Sequence, residues 1–344
     1  MNTISKKKPQ YPVNDSLKSF LDEYGRSKDL PVSYNDLASY RETMPLCDSE
    51  GKDTLWETLF YDQNDIPELN KGLTFIYALL KTDGNVSVIE HLRVDRIDYC
   101  PFGNSQPFRV RIINNFNDNY DYFYVKKTDA SRIYGMELEH LLSPNRIHYL
   151  VDGSTLIEEH IAGVPGDQFM GSFMKSTHIR LNETRLAKEF VKFNERSFIR
   201  LLGDMRSYNY VVDITPDFDD IQYRIRAVDF DQQCYEGRKS MYLPQYFKEN
   251  NPIVDLCIKK ITPESLLQYQ KEERAFMAKR IKVIRYRTKD LLDVMAKDTI
   301  STPDKVKELG ESLARYYENS KFLRAKTMGQ LVRRSLFENL KDHI

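Results

Sequence analysis

Two aspartates and an asparagine stand out for their spacing. Asp204 follows Leu201-Leu202-Gly203, and Asn209 comes five residues later at the start of an apolar segment, Tyr210-Val211-Val212. A second apolar segment, Tyr223–Val228, leads into Asp229-Phe230-Asp231. Read as strands, the two segments carry two carboxylates and one carboxamide on loops at their ends. An all-oxygen set of this kind suits Mg²⁺, which takes one or two carboxylates and completes its shell with water and phosphate. A carboxylate held near such a metal can accept the proton of a hydroxyl. The plain alternative is that Asp204 and Asn209 serve as turn and cap residues and that Asp229 opens a loop.

These residues need elements to position them. A helical run with apolar residues at Leu186, Phe190, Phe193, Phe198, Leu201 and Leu202 delivers the chain to Asp204. Upstream, residues 85–127 alternate and are rich in Val, Ile, Tyr and Phe, which predicts strands at Val88–Asp98, Phe108–Ile113 and Tyr120–Lys126. A helix is expected from Ser131 to Leu142, then strands at Ile147–Val151 and Thr155–Ile161 around Asp152-Gly153. Beyond Gly163 the pattern is mostly helical, with one strand pair over 209–230. Residues 1–14 read as a loose tail. Helices are expected from Asp15 to Gly25, from Ser33 with Asp36 as a capping box, over Thr54–Tyr61, and after Pro67 up to Asp83-Gly84. The order is a helical extension over 1–84, an antiparallel sheet with one helix over 85–162, and a helical part over 163–344. That is an α+β architecture.

Composition narrows the partners. The 344 residues are 41% hydrophobic and 30% charged, too apolar for a disordered chain, and 51 basic residues offset 51 acidic ones. Zero net charge removes the general electrostatic pull toward nucleic acid or an anionic membrane, so neither is expected as a partner. Cys47, Cys100, Cys234 and Cys257 form no closely spaced pair, which argues against a thiolate zinc site and fits a reducing, cytoplasmic setting. No secretory leader is read at the N-terminus, and no run of about 18 apolar residues occurs.

The ordered set of motifs resembles the protein-kinase-like superfamily. In that family an Asp is followed five residues later by an Asn, and a strand pair then leads to an Asp-Phe-Gly metal site. Asp204, Asn209 and Asp229 stand in those places. Tyr122-Phe123-Tyr124-Val125-Lys126-Lys127 looks like the third strand, with Lys126 as the phosphate-binding lysine and Lys127 as its alternative. The helix Ser131–Leu142 resembles the family's C helix, with Glu137, or else Glu139, pairing with that lysine. Leu156–Gly163 looks like the fifth strand and hinge, where Glu159 and Ile161 would hold the adenine. The turn around Gly103 would cover the phosphates, and Arg206 would neutralise transferred charge. The resemblance implies a two-lobed fold and transfer of the γ-phosphoryl group of ATP, with Mg²⁺ held by Asn209 and Asp229 and a hydroxyl acceptor deprotonated by Asp204.

Departures from the family pattern shape the expectation further. Leu202-Gly203 replaces the usual His-Arg, and Gly-Asp is closer to aminoglycoside and choline kinase-like phosphotransferases. Asp231 replaces the Gly of Asp-Phe-Gly, and no Ala-Pro-Glu follows, which points to a small-molecule or atypical protein acceptor. The Cys100–Pro107 turn has one glycine and two prolines, which remove backbone donors. Pseudokinases and AMP transferases share such unusual loops and stand as alternatives. His148 and His160 read as structural, Asp217, Asp219 and Asp220 as an exposed hairpin tip, and Lys279–Lys289 as an amphipathic helix with a solvated basic face.

Overall fold

The computed structural model describes residues 8–82, 86–175, 181–217 and 220–343. Asp83-Gly84, expected to end a helix, and Asp219 of the hairpin tip lie outside the described residues. The chain divides into two compact units. One takes the chain up to Asp129 together with Ile147–His160, and the other takes Ala130–Arg146 and the chain from Ile161 onward.

The first unit is built on a seven-stranded antiparallel sheet: β1 (Glu42–Cys47), β2 (Asp53–Phe60), β3 (Leu92–Tyr99), β4 (Phe108–Asn114), β5 (Tyr120–Lys127), β6 (Tyr149–Asp152) and β7 (Thr155–Glu159). Their order is β1-β2-β3-β4-β5-β7-β6. Among the described residues it is accompanied by the helices α1 (Asp15–Glu23), α2 (Tyr34–Leu37) and α3 (Ile66–Thr82). Alternation decides which face is buried. Val110 and Ile112 of β4, Phe123 and Val125 of β5 and Ile157 of β7 share one core with Leu73, Ile76 and Leu80 of α3. The capping box at Ser33 forms as expected, with Ser33 N–H donating to Asp36 Oδ2 at 2.8 Å and Ser33 Oγ accepting from Asp36 N–H at 3.3 Å.

One expected helix is a strand. Residues 54–60 form β2, in register with β1 through Thr43↔Leu59 and Leu46↔Trp56. A short run with Thr54, Trp56, Thr58 and Phe60 fits either period, and its β-branched and aromatic residues favour a pleated surface. Trp56 lies under the Arg109 guanidinium, 4.4 Å from it, and that stacking is possible because β2 is an extended strand of the same sheet. Pro45 is tolerated in β1 because β1 is an edge strand. The tail expectation also changes from residue 8 onward: Lys8 Nζ pairs with Asp129 Oδ2 at 2.5 Å, and Tyr11 N–H donates to the same carboxylate at 3.1 Å.

The second unit begins with α4 (Ala130–Leu142) and resumes with β8 (Val164–Pro165) and a short turn, α5 (Gly166–Gln168). Then come α6 (Glu183–Ile199), the hairpin β9 (Tyr210–Asp217) and β10 (Asp220–Ala227), and helices α7 (Asn251–Lys260), α8 (Pro263–Val283), α9 (Arg285–Met295), α10 (Pro303–Tyr316) and α11 (Met328–Leu340). β10, β9 and β8 form a small sheet in that order. The helix expected across Lys279–Lys289 is broken at Ile284 into α8 and α9. Within this unit α4 buries Ile133, Met136, Leu138 and Leu141, Glu137 pairs with Arg287, Glu139 pairs with Arg200, and Arg280 donates to the carbonyls of His140 and Leu141. Among the described residues no helix is long and apolar enough to cross a membrane.

Candidate functional site

α6 buries Leu186, Phe190, Phe193 and Phe198 and so fixes where its C-terminal end releases the chain. The release is tight. Leu201 has φ +56° and Asp204 φ +58°, left-handed conformations that non-glycine residues keep only where the surroundings enforce them. The enforcement comes from the loop after β10. Cys234 N–H donates to Leu201 O at 2.9 Å, Gly203 N–H to Gln232 O at 3.1 Å, and the Gln233 carboxamide to Arg200 O at 2.6 Å. Farther along, Val228 N–H donates to Asn209 O at 3.0 Å, and Asp204 N–H donates to Met241 O at 2.9 Å. The segments carrying Asp204, Asn209 and Asp229 are thus stapled to each other.

Side chains complete the arrangement. Asn209 Nδ2 donates to Asp204 O at 2.7 Å and lies 3.4 Å from Asp204 Oδ2. Arg206 Nε donates to Asp204 Oδ1 at 2.8 Å, while its Nη1 reaches Glu249 Oε1 at 2.7 Å. Burial raises the Asp204 carboxyl pKa, and Arg206 opposes that rise. Burial also pushes the Tyr208 hydroxyl up; Arg206 opposes, and the carboxylates of Asp204, Glu249 and Asp229 add to it. Asp229 Oδ1 accepts from Asp231 N–H at 3.0 Å, and its side chain is 36% exposed.

Among the described residues no three His, Cys, Asp or Glu side chains cluster as a metal-ligand set. A cation here would rest on Asn209, Asp229 and ligands from outside the chain. The donor chemistry fits Mg²⁺: Asn209 commits its amide nitrogen to Asp204, which turns the carboxamide oxygen the other way, and Asp229 adds a partly exposed carboxylate.

The other expected site residues have different surroundings. Within the sheet unit, Lys126 Nζ pairs with Glu158 Oε2 at 2.5 Å. Lys126 stands opposite Leu156, and Glu158 is two positions on, so the two are diagonal neighbours on one face of the β5–β7 ladder. Glu137 pairs with Arg287 Nη2 at 2.5 Å and is fully buried, and Glu139 is held by Arg200. Lys127 lies over the Tyr34 ring at 5.1 Å. Glu159 accepts from His148 N–H at 2.8 Å, and Ile161 is buried. Gly103 sits in a tight turn closed by Gln106 N–H to Gly103 O at 3.0 Å and Cys100 N–H to Pro107 O at 3.0 Å.

Several residues were not singled out by spacing. Asn250, fully buried, donates to Met205 O at 2.9 Å and Pro244 O at 2.7 Å and accepts from Tyr210 Oη at 2.9 Å, so it braces the loop from Asp204 to Tyr210. Arg132 in the first turn of α4 binds Asp231. A basic residue inside an otherwise apolar helix start carries no periodic mark, and Asn250 looks like any loop polar residue.

No protein-family model matches the chain, and no curated protein matches it. Solved structures do match. The autoinhibited serine kinase domain of the giant muscle protein titin is 13% identical, with a TM-score of 0.27 over 72% of this chain and 92% of that one. Titin kinase with its flanking domains is 12% identical, with a TM-score of 0.22 over 67% of this chain and 51% of that one. The kinase domain of a maize sucrose-induced receptor kinase, bound to AMP-PNP, is 10% identical, with a TM-score of 0.22 over 67% of this chain and 89% of that one.

Proposed function

We propose that this chain is an ATP- and Mg²⁺-dependent phosphotransferase that moves the γ-phosphoryl group to a hydroxyl acceptor, either a small molecule or an atypical protein substrate. The observation that carries the reading is the stapling of the Asp204–Asn209 loop to the Asp229 loop, through Gly203 N–H to Gln232 O and Val228 N–H to Asn209 O. In this reading Asp204 orients the acceptor hydroxyl and takes its proton, and Arg206 sets the charge state of Asp204. Asn209 and Asp229 hold Mg²⁺, which when bound neutralises charge on the nucleotide phosphates. Lys126 orients those phosphates, Glu159 and Ile161 offer backbone groups to the adenine, and the Gly103 turn covers the phosphates. Phosphoryl transfer asks little covalent chemistry of a protein, so positioning and charge neutralisation supply most of the rate.

A second reading is a nucleotide-binding module without transfer. It is favoured by one observation: Lys126 and Glu137 are each engaged with another partner, Glu158 and Arg287. ATP labelled separately at the α- and γ-phosphate, incubated with Mg²⁺ and candidate hydroxyl acceptors, separates the possibilities. Movement of the γ label that is lost in Asp204→Asn and Asp229→Asn supports phosphoryl transfer. Movement of the α label indicates AMP transfer, and binding with neither label moved indicates the second reading.

A further inference from the structure

α4 opens with Ala130-Ser131-Arg132, and Arg132 is only 2% exposed. Its guanidinium binds the Asp231 carboxylate and lies 4.0 Å from Asp229 Oδ1. Asp231 in turn donates its N–H to Asp229 Oδ1 at 3.0 Å. The neighbouring Ser131 Oγ donates to Gln233 O at 2.7 Å and reaches Asp231 O at 3.3 Å. One turn farther, Gly135 faces the same loop: a Cβ there would come within 3.0 Å of both Phe230 Cβ and Gln233 Cβ. Three successive contacts from one helix end therefore grip the segment 230–233.

The carboxylates farther along α4 face other parts of the helical unit, Glu137 toward Arg287 and Glu139 toward Arg200. Its end at the Asp229 loop carries a cation instead. We infer that Arg132 is the positioning residue for Asp229: through Asp231 it fixes the turn in which Asp229 Oδ1 accepts from Asp231 N–H. The inference rests on the assignment of Asp229 to Mg²⁺ proposed above. A buried guanidinium with several fixed donors can hold a carboxylate and a turn at once, which a single point charge does less well. Gly135 completes the device by letting the helix approach without a Cβ between it and the loop.

Two measurements on the full chain test this. The first is amide hydrogen exchange of residues 229–234 without any ligand, in wild type, Arg132→Met, Arg132→Lys and Asp231→Asn. The second is the Mg²⁺ concentration giving half of the ATP-induced thermal shift in the same proteins. Exchange is expected to quicken roughly tenfold or more in Arg132→Met, as an opened local unit does. The half-saturating Mg²⁺ is expected to rise roughly 10–100-fold, the usual penalty for losing an outer-shell support. Arg132→Lys should recover part of both effects, and Asp231→Asn should follow Arg132→Met. Unchanged exchange and unchanged Mg²⁺ requirement in a folded Arg132→Met protein would overturn the inference. Should Arg132→Met fail to fold, the same null result in Asp231→Asn would overturn it. If exchange quickens but wild type shows no Mg²⁺-dependent response to ATP, the mechanical coupling stands and the phosphotransferase assignment falls.

Discussion

Asn209 hydrogen-bonds the main-chain carbonyl of Asp204 through its side-chain nitrogen, at 2.7 Å, and so closes the loop between them. The bond gives the five-residue spacing a physical meaning. It orients the carboxamide by committing its nitrogen to Asp204. Asn209→Ala removes both the bond and the oxygen. The lost bond alone should cost roughly 0.5–1.5 kcal/mol in urea unfolding. If Asn209 holds Mg²⁺ as proposed, Mg²⁺ dependence should suffer more than the roughly 10–100-fold seen for outer-shell losses, because the ligand itself is gone. Asn209→Asp places an acceptor against the Asp204 carbonyl and should not restore binding.

Asp204 sets a pH dependence whose sign follows from its surroundings. Burial raises its carboxyl pKa above the ordinary carboxylate range, against the pull of Arg206. If Asp204 takes the acceptor's proton as proposed, it works only when ionised, so kcat/KM should rise with pH through that raised pKa. For stability the sign is opposite. Between the ordinary and the raised pKa the folded protein binds the extra proton, so this group favours the fold at low pH and loses that contribution as pH rises. Arg206→Met removes the opposing charge and should move the acid limb of the kcat/KM profile to higher pH. A limb that stays in place would disconnect Arg206 from Asp204.

Glycine at position 166 matters for the site rather than for its own turn. A Cβ there would come within 2.4 Å of Ser207 O and within 2.4 Å of the Tyr210 ring. Those residues bracket Asn209. Gly166→Ala should cost about 1–3 kcal/mol, in the range of overpacking, and should displace the 207–210 segment. Chemical shifts of Asn209 and Tyr210 should move with it, and any transfer activity should fall with little change at the sheet unit.

The buried pair Glu139–Arg200 supports the loop from behind, since the carbonyls of Arg200 and Leu201 both face Gln233. Glu139→Ala would leave Arg200, fully buried, without its carboxylate. Breaking such a pair costs about 3–5 kcal/mol, whereas replacing both partners by apolar residues of similar volume is often neutral. Urea unfolding of Glu139→Ala, Arg200→Met and the double variant checks this: the double variant should be more stable than Glu139→Ala.

These contacts show where the sequence was readable. β4, β5, β6 and β7 follow from alternation of Val, Ile, Tyr and Phe, with boundaries within two residues of expectation, while β3 starts at Leu92 rather than Val88. The segment 54–60 misled because a short aromatic and β-branched run satisfies two periods. The Asp204, Asn209, Asp229 spacing was legible because the three residues are bound to loops whose ends the apolar segments define. Partner choice was not legible. Which carboxylate meets Lys126 depends on the β5–β7 register, and which cation meets Glu137 depends on α9, about 150 residues away.

Lys126 gives the sharpest test between transfer and mere binding. Its ammonium sits 2.5 Å from Glu158, and both side chains are buried. If Lys126 serves nucleotide phosphates, Glu158 competes with them for one charge. Glu158→Gln keeps the shape and removes the competing charge, so ATP affinity by calorimetry should rise. Lys126→Met should weaken ATP binding and abolish transfer while leaving Glu158 buried without its cation, at a cost of about 3–5 kcal/mol. Lys126→Met with Glu158→Gln should recover stability but not ATP binding. Should Lys126→Met bind ATP as wild type does, Lys126 belongs to the sheet alone, and the phosphate-orienting role falls to another residue.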